Sequence, residues 1–112
     1  MILEIRTYRL HPGTTDQFVA AMRDEAVPLL ADFGIKVVAS GASLVREDGS
    51  EEAFLIRSFE SIDEHAEQEA RFYSSREWHD GPRAAILECI ESYHSVVIDA
   101  GALSGISDTK SL

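Results

Sequence analysis

The stretch that decides the fold is the N-terminal run Glu4-Ile5-Arg6-Thr7-Tyr8-Arg9-Leu10-His11-Pro12-Gly13. Its alternation is typical of a β-strand, in which every second side chain points to the same face. We expect the strand to cover residues 2–10 and to end at the Pro-Gly turn. Glu4, Arg6 and Tyr8 then share one face, at intervals of about 7 Å.

The first helix and the next two strands follow from short local signals. Thr14 with Gln17 forms a capping-box pattern that predicts a helix start. Pro28 should kink the last turn of that helix, and Gly34 should end it in the left-handed conformation. Strands are predicted over residues 35–45 and 52–59, with the Asp48-Gly49 hairpin signal between them.

A second capping-box pattern, Ser61 with Glu64, predicts another helix that begins at Ile62. The buried stripe of this helix is predicted by helical spacing. It comprises Ile62, Ala66, Ala70 and Tyr73. A bend near Trp78, a short helix and a last strand over residues 91–99 complete the domain.

The predicted order is strand, helix, strand, strand, helix, strand. This βαββαβ order is the ferredoxin-like α+β fold, in which one face of a four-stranded antiparallel sheet carries both helices. Both faces of the predicted sheet are substantially apolar, whereas a one-sided sheet alternates more cleanly. The simplest cover for the second face is the same face of a second copy, so we predict a homodimer.

The whole-chain properties bound the class of protein. With 112 residues the chain is one domain, expected over residues 1–100 with a tail at 101–112. A net charge of −10, from 20 acids and 10 bases, disfavours nucleic acid and anionic membranes as partners. No apolar stretch approaches a membrane span, and no signal peptide is recognisable. The single cysteine, Cys89, fits a cytoplasmic location.

The chain resembles the NIPSNAP family, within the dimeric α+β barrel proteins. The pattern E-x-R-x-Y-x-x-x-P-G, formed by Glu4 to Gly13, carries the resemblance. Phe59-Glu60-Ser61 and Arg76-Glu77-Trp78 are further matches, although Ser75-Arg76 stands where the family usually has Asp-Pro. The resemblance covers about residues 2–99 and implies the dimeric barrel. It implies no settled activity.

Glu4, Arg6 and Tyr8 are the first candidates for chemistry. In the functional interpretation Arg6 holds a carboxylate or enolate, Tyr8 donates a hydrogen bond and Glu4 acts as a base. The alternative is a structural Glu–Arg pair with Tyr8 as core filling. His94 on the last strand is a candidate for proton transfer, or else a strand histidine satisfied by the backbone. Because Tyr93 and His94 point to opposite faces, at most one of them joins the group.

Other residues give weaker signals. His65 and Glu69 lie one helical turn apart and could share a metal ion, but two ligands are too few, so no metal is predicted. No cofactor is predicted either. The haem-degrading relatives of the barrel superfamily use an Asn, Trp and His set, and this chain has no asparagine.

Two functions remain open from the sequence. One is a cofactor-free enzyme of oxygenase or isomerase type that acts on a small aromatic or carbonyl compound. The other is a non-catalytic homodimeric module that binds a ligand or a protein. The polarity of the pocket distinguishes them, because converging ionisable groups around a cavity favour an enzyme.

Overall fold

The computed structural model describes residues 1–103, and their secondary structure follows the predicted order. The strands are β1 (Ile2–Leu10), β2 (Lys36–Ala42), β3 (Glu51–Phe59) and β4 (Ile90–Asp99). The helices are α1 (Thr15–Ala21), a π-helical turn (Met22–Ala26), α2 (Val27–Asp32), α3 (Ile62–Tyr73), α4 (Arg76–Asp80) and α5 (Arg83–Cys89). A 3-10 turn (Ala100–Leu103) follows β4; the rest of the predicted tail lies outside the described residues. No helix within residues 1–103 is long and apolar enough to cross a membrane.

The four strands form one antiparallel sheet in the order β2-β3-β1-β4. Tyr8 and Leu55 face the helices and are buried in a core with Phe18, Phe72 and Trp78. This arrangement confirms the predicted ferredoxin-like α+β fold. The opposite side of the sheet, here called the open face, carries none of the helices α1 to α5. Its apolar side chains are Leu3, Ile5, Phe54, Ile56, Val96 and Ile98.

The first helical segment differs from the prediction at its start and in the turn before Pro28. The Thr14 side chain does not cap the helix but donates a hydrogen bond to the carbonyl of His11, at 2.7 Å. The chain also widens into a π-helical turn just before Pro28, which the sequence did not predict. A proline ring collides with the carbonyl four residues earlier, and a widened turn accommodates that collision. Gly34 ends the segment with φ +78°, as predicted.

The connection between β2 and β3 is longer than the Asp-Gly signal predicts. β2 ends at Ala42, and residues 43–50 form the loop. Gly49, with φ +80°, donates its N–H to the carbonyl of Arg46 at 3.2 Å. The Asp-Gly pair therefore makes a turn inside the loop and does not join the two strands directly.

Helix α3 begins at Ile62, as predicted, but its buried face differs from the prediction. Ser61 accepts a hydrogen bond from the N–H of Glu64 at 3.2 Å and so caps α3. Ile62 is 60% exposed, and Ala66 and Ala70 are also exposed. The side chains that α3 turns toward the sheet are His65, Gln68, Glu69, Phe72 and Tyr73. The predicted stripe was therefore wrong at Ile62, Ala66 and Ala70, and only its fourth member, Tyr73, faces the sheet.

Candidate functional site

The site is built on a buried ion pair between two neighbouring strands. Glu4 of β1 lies directly opposite Arg57 of β3 in the sheet. The exposed fraction of the side chain is 2% for Glu4 and 0% for Arg57. Arg57 Nε donates to Glu4 Oε1 at 2.7 Å, and Arg57 Nη2 donates to the same oxygen. Two charges this deep in a protein depend on each other for stabilisation.

Arg6 and Glu69 extend the pair into a cluster of alternating charge. Arg6 Nη2 donates to Glu4 Oε2 at 3.0 Å and to Glu69 Oε1 at 3.1 Å. Arg57 Nη2 also donates to Glu69 Oε1, at 2.5 Å. We call these four residues the carboxylate–arginine cluster. Its two acids and two bases balance when all four are ionised.

Two hydroxyl groups accept further hydrogen bonds from the arginines. The Tyr73 hydroxyl accepts from Arg6 Nη1 at 3.1 Å and from Arg57 Nη1 at 3.0 Å. Ser95 Oγ on β4 accepts from Arg6 Nε at 3.0 Å. Strands β1, β3 and β4 and helix α3 therefore meet at the cluster.

The imidazole of His65 lies at the edge of the cluster. Its Nε2 is 3.5 Å from Glu4 Oε2 and 3.4 Å from Glu69 Oε1, and no residue of 1–103 hydrogen-bonds to this buried atom. Ligand atoms of Glu4, His65 and Glu69 lie within 4.8 Å of one another, so Glu4 supplies a third ligand that the sequence did not predict. The guanidinium groups of Arg6 and Arg57 already hold both carboxylates, and their positive charge opposes a metal ion.

The two carboxylates of the cluster have opposite pKa shifts. Burial would raise the pKa of Glu4, but a hydrogen bond with Glu69 and the charges of Arg57 and Arg6 lower it to about 2. Burial raises the pKa of Glu69, and the neighbouring Glu4 raises it further. Burial also raises the pKa of Tyr8. Glu4 is therefore ionised and a weak base, and Glu69 is the group of the pair that takes a proton first.

A cavity of about 320 Å³ opens beside the cluster, between the sheet and the helices. Its walls are mainly apolar and aromatic, and most belong to the core. They are formed by Met22, Ala26, Leu30, Leu55, Phe72, Trp78, Ile86, Leu87 and Ile90. The polar or charged lining residues are Arg6, Tyr8, Tyr73, His79, Arg83 and Tyr93. Glu4 is not part of the lining.

The structure brings three of the four predicted site residues to one face and leaves out the fourth. Glu4, Arg6 and Tyr8 share the helix-covered face, as predicted. His94 pairs with Thr7 and lies exposed on the open face. Tyr93 is the neighbour of Tyr8 instead, with its ring centroid 6.3 Å from the Tyr8 ring and 4.8 Å from Arg6 Cζ. The predicted association of His94 with the other three was therefore wrong.

Sequence reasoning missed Arg57, Glu69 and Tyr73 as site residues. The alternation of β3 puts Arg57 on the same face as the buried Leu55 and Phe59. A charged side chain on an apolar face was the available signal, because a buried charge needs a partner. Glu69 and Tyr73 lie one turn apart on α3, so they share a helix face.

The comparisons with known proteins identify the family. The NIPSNAP family model matches residues 3–104, and the chain belongs to this family. The fold resembles that of an uncharacterized NIPSNAP domain protein from Burkholderia xenovorans, with a TM-score of 0.79, 19% identity, and coverage of 91% of this chain and 96% of that chain. No curated protein matches the chain.

Two further solved structures show how far the likeness extends. A NIPSNAP family protein of unknown function from Agrobacterium tumefaciens has 26% identity and a TM-score of 0.74, covering 88% of this chain and 86% of its own. An antibiotic biosynthesis monooxygenase has 15% identity and a TM-score of 0.60, covering 89% of this chain and 98% of its own. The second likeness concerns the fold alone.

Replacing Glu4 by Gln should destabilise the fold, because Arg57 would remain buried beside a neutral amide. We expect Glu4→Gln to lower the free energy of unfolding by about 3–5 kcal/mol at neutral pH. Urea denaturation monitored by circular dichroism measures this value. The matched control Glu67→Gln, on the exposed side of α3, should change it by less than about 0.5 kcal/mol. A loss below about 1 kcal/mol in Glu4→Gln would contradict the central role of the pair.

Glu69→Gln should change how stability depends on pH. A carboxyl whose pKa is raised by folding stabilises most below its ordinary pKa of 4.5, and this contribution is lost as pH rises through the raised pKa. Glutamine does not titrate, so the stability of Glu69→Gln relative to the unsubstituted protein should increase from about pH 4 toward neutrality. Urea denaturation across this range tests the slope. A difference that does not change with pH would refute it.

Proposed function

We propose that this NIPSNAP protein binds a small aromatic or carbonyl compound in the cavity beside the carboxylate–arginine cluster. The cavity carries the proposal. Small-molecule sites are typically concave, about 300–1,000 Å³, mainly apolar, and supplied with a few oriented polar groups. A volume of about 320 Å³, aromatic walls and the polar groups of Arg6, Tyr8 and Tyr73 fit that description.

The polar groups limit the chemistry that the cavity can support. Glu4 is a weak base outside the lining, and the charge of Arg6 is neutralised by Glu4 and Glu69. Hydroxyl groups and the remaining guanidinium N–H could polarise a carbonyl or stabilise an enolate. His79, which is exposed and lines the cavity, could accept a proton. These features support a cofactor-free reaction of isomerase type, or of oxygenase type with dioxygen.

Ligand binding without catalysis is the second candidate, and the pairing of Arg6 favours it. An arginine that holds two carboxylates is engaged in the architecture of the protein. The binding proposal is common to both candidates. Turnover of a bound compound would separate them.

We further propose that the functional unit is a homodimer that pairs the open faces of two sheets. Ile5 lies directly between Ile56 and Val96 on this face, and Val96 is 46% exposed. A contiguous apolar sheet surface is stabilised by burial, and an identical surface related by a two-fold axis is self-complementary.

A cytoplasmic location is supported by the single cysteine, Cys89, which is buried and has no partner for a disulfide within the chain.

Filling the cavity should weaken ligand binding. Isothermal titration calorimetry with 2-acetylnaphthalene should show saturable binding of one molecule per chain. Ala26 is buried and lines the cavity, so the side chain of Ala26→Phe would occupy its volume. We expect at least about a tenfold loss of affinity, equivalent to about 1.4 kcal/mol. Ala31→Phe, on the exposed side of α2, is the matched control. Equal affinity in both variants would place binding outside the cavity.

A charge on the open face should dissociate the dimer. Analytical ultracentrifugation of the unsubstituted protein should give twice the chain mass of 12.4 kDa. Ile56→Asp should give the monomer, because burying an unpaired carboxylate between the sheets is unfavourable. Ile62→Asp makes the same change at an exposed position on the helix layer and should leave the dimer intact. An unsubstituted protein that is monomeric at micromolar concentration would exclude the dimer.

A further inference from the structure

The hydroxyl of Tyr73 has both of its acceptor positions filled. A phenolic oxygen has two lone pairs and one proton. Arg6 Nη1 and Arg57 Nη1 donate to the Tyr73 oxygen at 3.1 and 3.0 Å, and these two donors account for the lone pairs. Both donors are positively charged, so the two hydrogen bonds polarise the O–H group and strengthen it as a donor.

The proton of Tyr73 has no acceptor among residues 1–103. Every hydrogen bond of its side chain in this part of the chain is one that the oxygen accepts. Tyr73 lines the cavity together with Arg6, whereas Arg57 is not part of the lining. The Tyr73 proton does not point toward either guanidinium group, because both groups donate to the Tyr73 oxygen. The free direction for a strong donor is therefore toward the cavity.

The ring of Tyr73 is held firmly in this position. It meets the rings of Phe72 and Trp78 edge-on, with centroids 4.9 and 5.4 Å away. The guanidinium carbons of Arg6 and Arg57 lie 5.6 and 5.7 Å from its centroid. A donor whose ring is fixed before a ligand arrives needs little ordering on binding.

The charge balance behind Tyr73 determines the class of ligand. Arg6 uses four of its five N–H groups, on Ser95, Tyr73 and the two carboxylates. With Glu4 and Glu69 both ionised, the carboxylate–arginine cluster has no excess positive charge to attract an anion, and a carboxylate ligand would also meet the field of these two acids. An uncharged oxygen needs only a hydrogen-bond donor, and Tyr73 supplies one.

We propose that Tyr73 is the specificity-determining residue of the cavity: it donates a hydrogen bond to the oxygen of a neutral aromatic ketone or quinone, and the neutralised arginines behind it select this class over carboxylates. This inference rests on the proposed binding function and adds the donor and the charge of the ligand. Neither the donor nor the charge of the ligand follows from Glu4, Arg6 and Tyr8, the group that the sequence singles out.

Three probes of similar shape test the inference by calorimetry: 2-acetylnaphthalene, 2-naphthoate and naphthalene. The protein should prefer the ketone over naphthalene, which lacks the oxygen, and should bind naphthoate more weakly than the ketone. In Tyr73→Phe the affinity for the ketone should fall about five- to tenfold, the size of one hydrogen bond. The affinity for naphthalene should stay unchanged, which shows that the variant keeps a folded cavity.

The possible results separate the inference from the binding proposal. Failure of all three probes to bind the unsubstituted protein would overturn both. Binding of the ketone with equal affinity in Tyr73→Phe would overturn the inference alone. The inference alone would also be overturned if Tyr93→Phe lost the preference for the ketone over naphthalene and Tyr73→Phe kept it, because the donor would then be Tyr93. If the protein preferred naphthoate, and Arg83→Gln lost this preference, the cavity would contain an anion site at Arg83. That result would refute the proposal that the cavity selects neutral ligands.

Discussion

The buried ion pair between Glu4 and Arg57 is the interaction on which the site depends. Arg57 has no exposed side-chain surface, and such a charge is tolerated only when a partner stands at hydrogen-bonding distance. That partner comes from the neighbouring strand, in the register that pairs β1 with β3. Arg6 and Glu69 then join the pair and connect it to helix α3. One buried charge thereby ties the sheet to the helix layer.

The pair also determines which groups the cavity presents. Since carboxylates occupy the guanidinium groups of Arg6 and Arg57, the part of the cavity wall beside the cluster offers the hydroxyl groups of Tyr8 and Tyr73 more than free charge. Charges that neutralise each other in a low-dielectric interior still orient their neighbours through hydrogen bonds. The cluster therefore acts on a ligand through Tyr73, whose oxygen it holds. Glu4, His65 and Glu69 are potential metal ligands that lie close together. The positive charges of Arg6 and Arg57 beside them neutralise the two carboxylates and oppose the binding of a metal ion.

Helix α3 shows why hydrophobic periodicity failed at one element. Its apolar residues Ile62, Ala66 and Ala70 form a regular stripe, yet they face outward. The face that carries Glu69 and Tyr73 turns inward because the arginines of the sheet need its oxygens, and Phe72 supplies the apolar contact. Satisfying buried charges outweighed burying alanine methyl groups, which contribute little area.

The sequence alone determined the element order, the shared face of Glu4, Arg6 and Tyr8, and the family, because alternation, capping and turn signals are local. Only the tertiary structure decided the rest of the site. Arg57 is far from Glu4 in sequence and becomes its partner through strand register, and Tyr73 reaches both arginines only when α3 packs on the sheet. His94 illustrates the same limit. Whether His94 shares a face with Tyr8 depends on how β4 pairs with β1, and its pairing with Thr7 places it on the open face. Side chains from separate elements meet only through packing, and no local pattern encodes their distances.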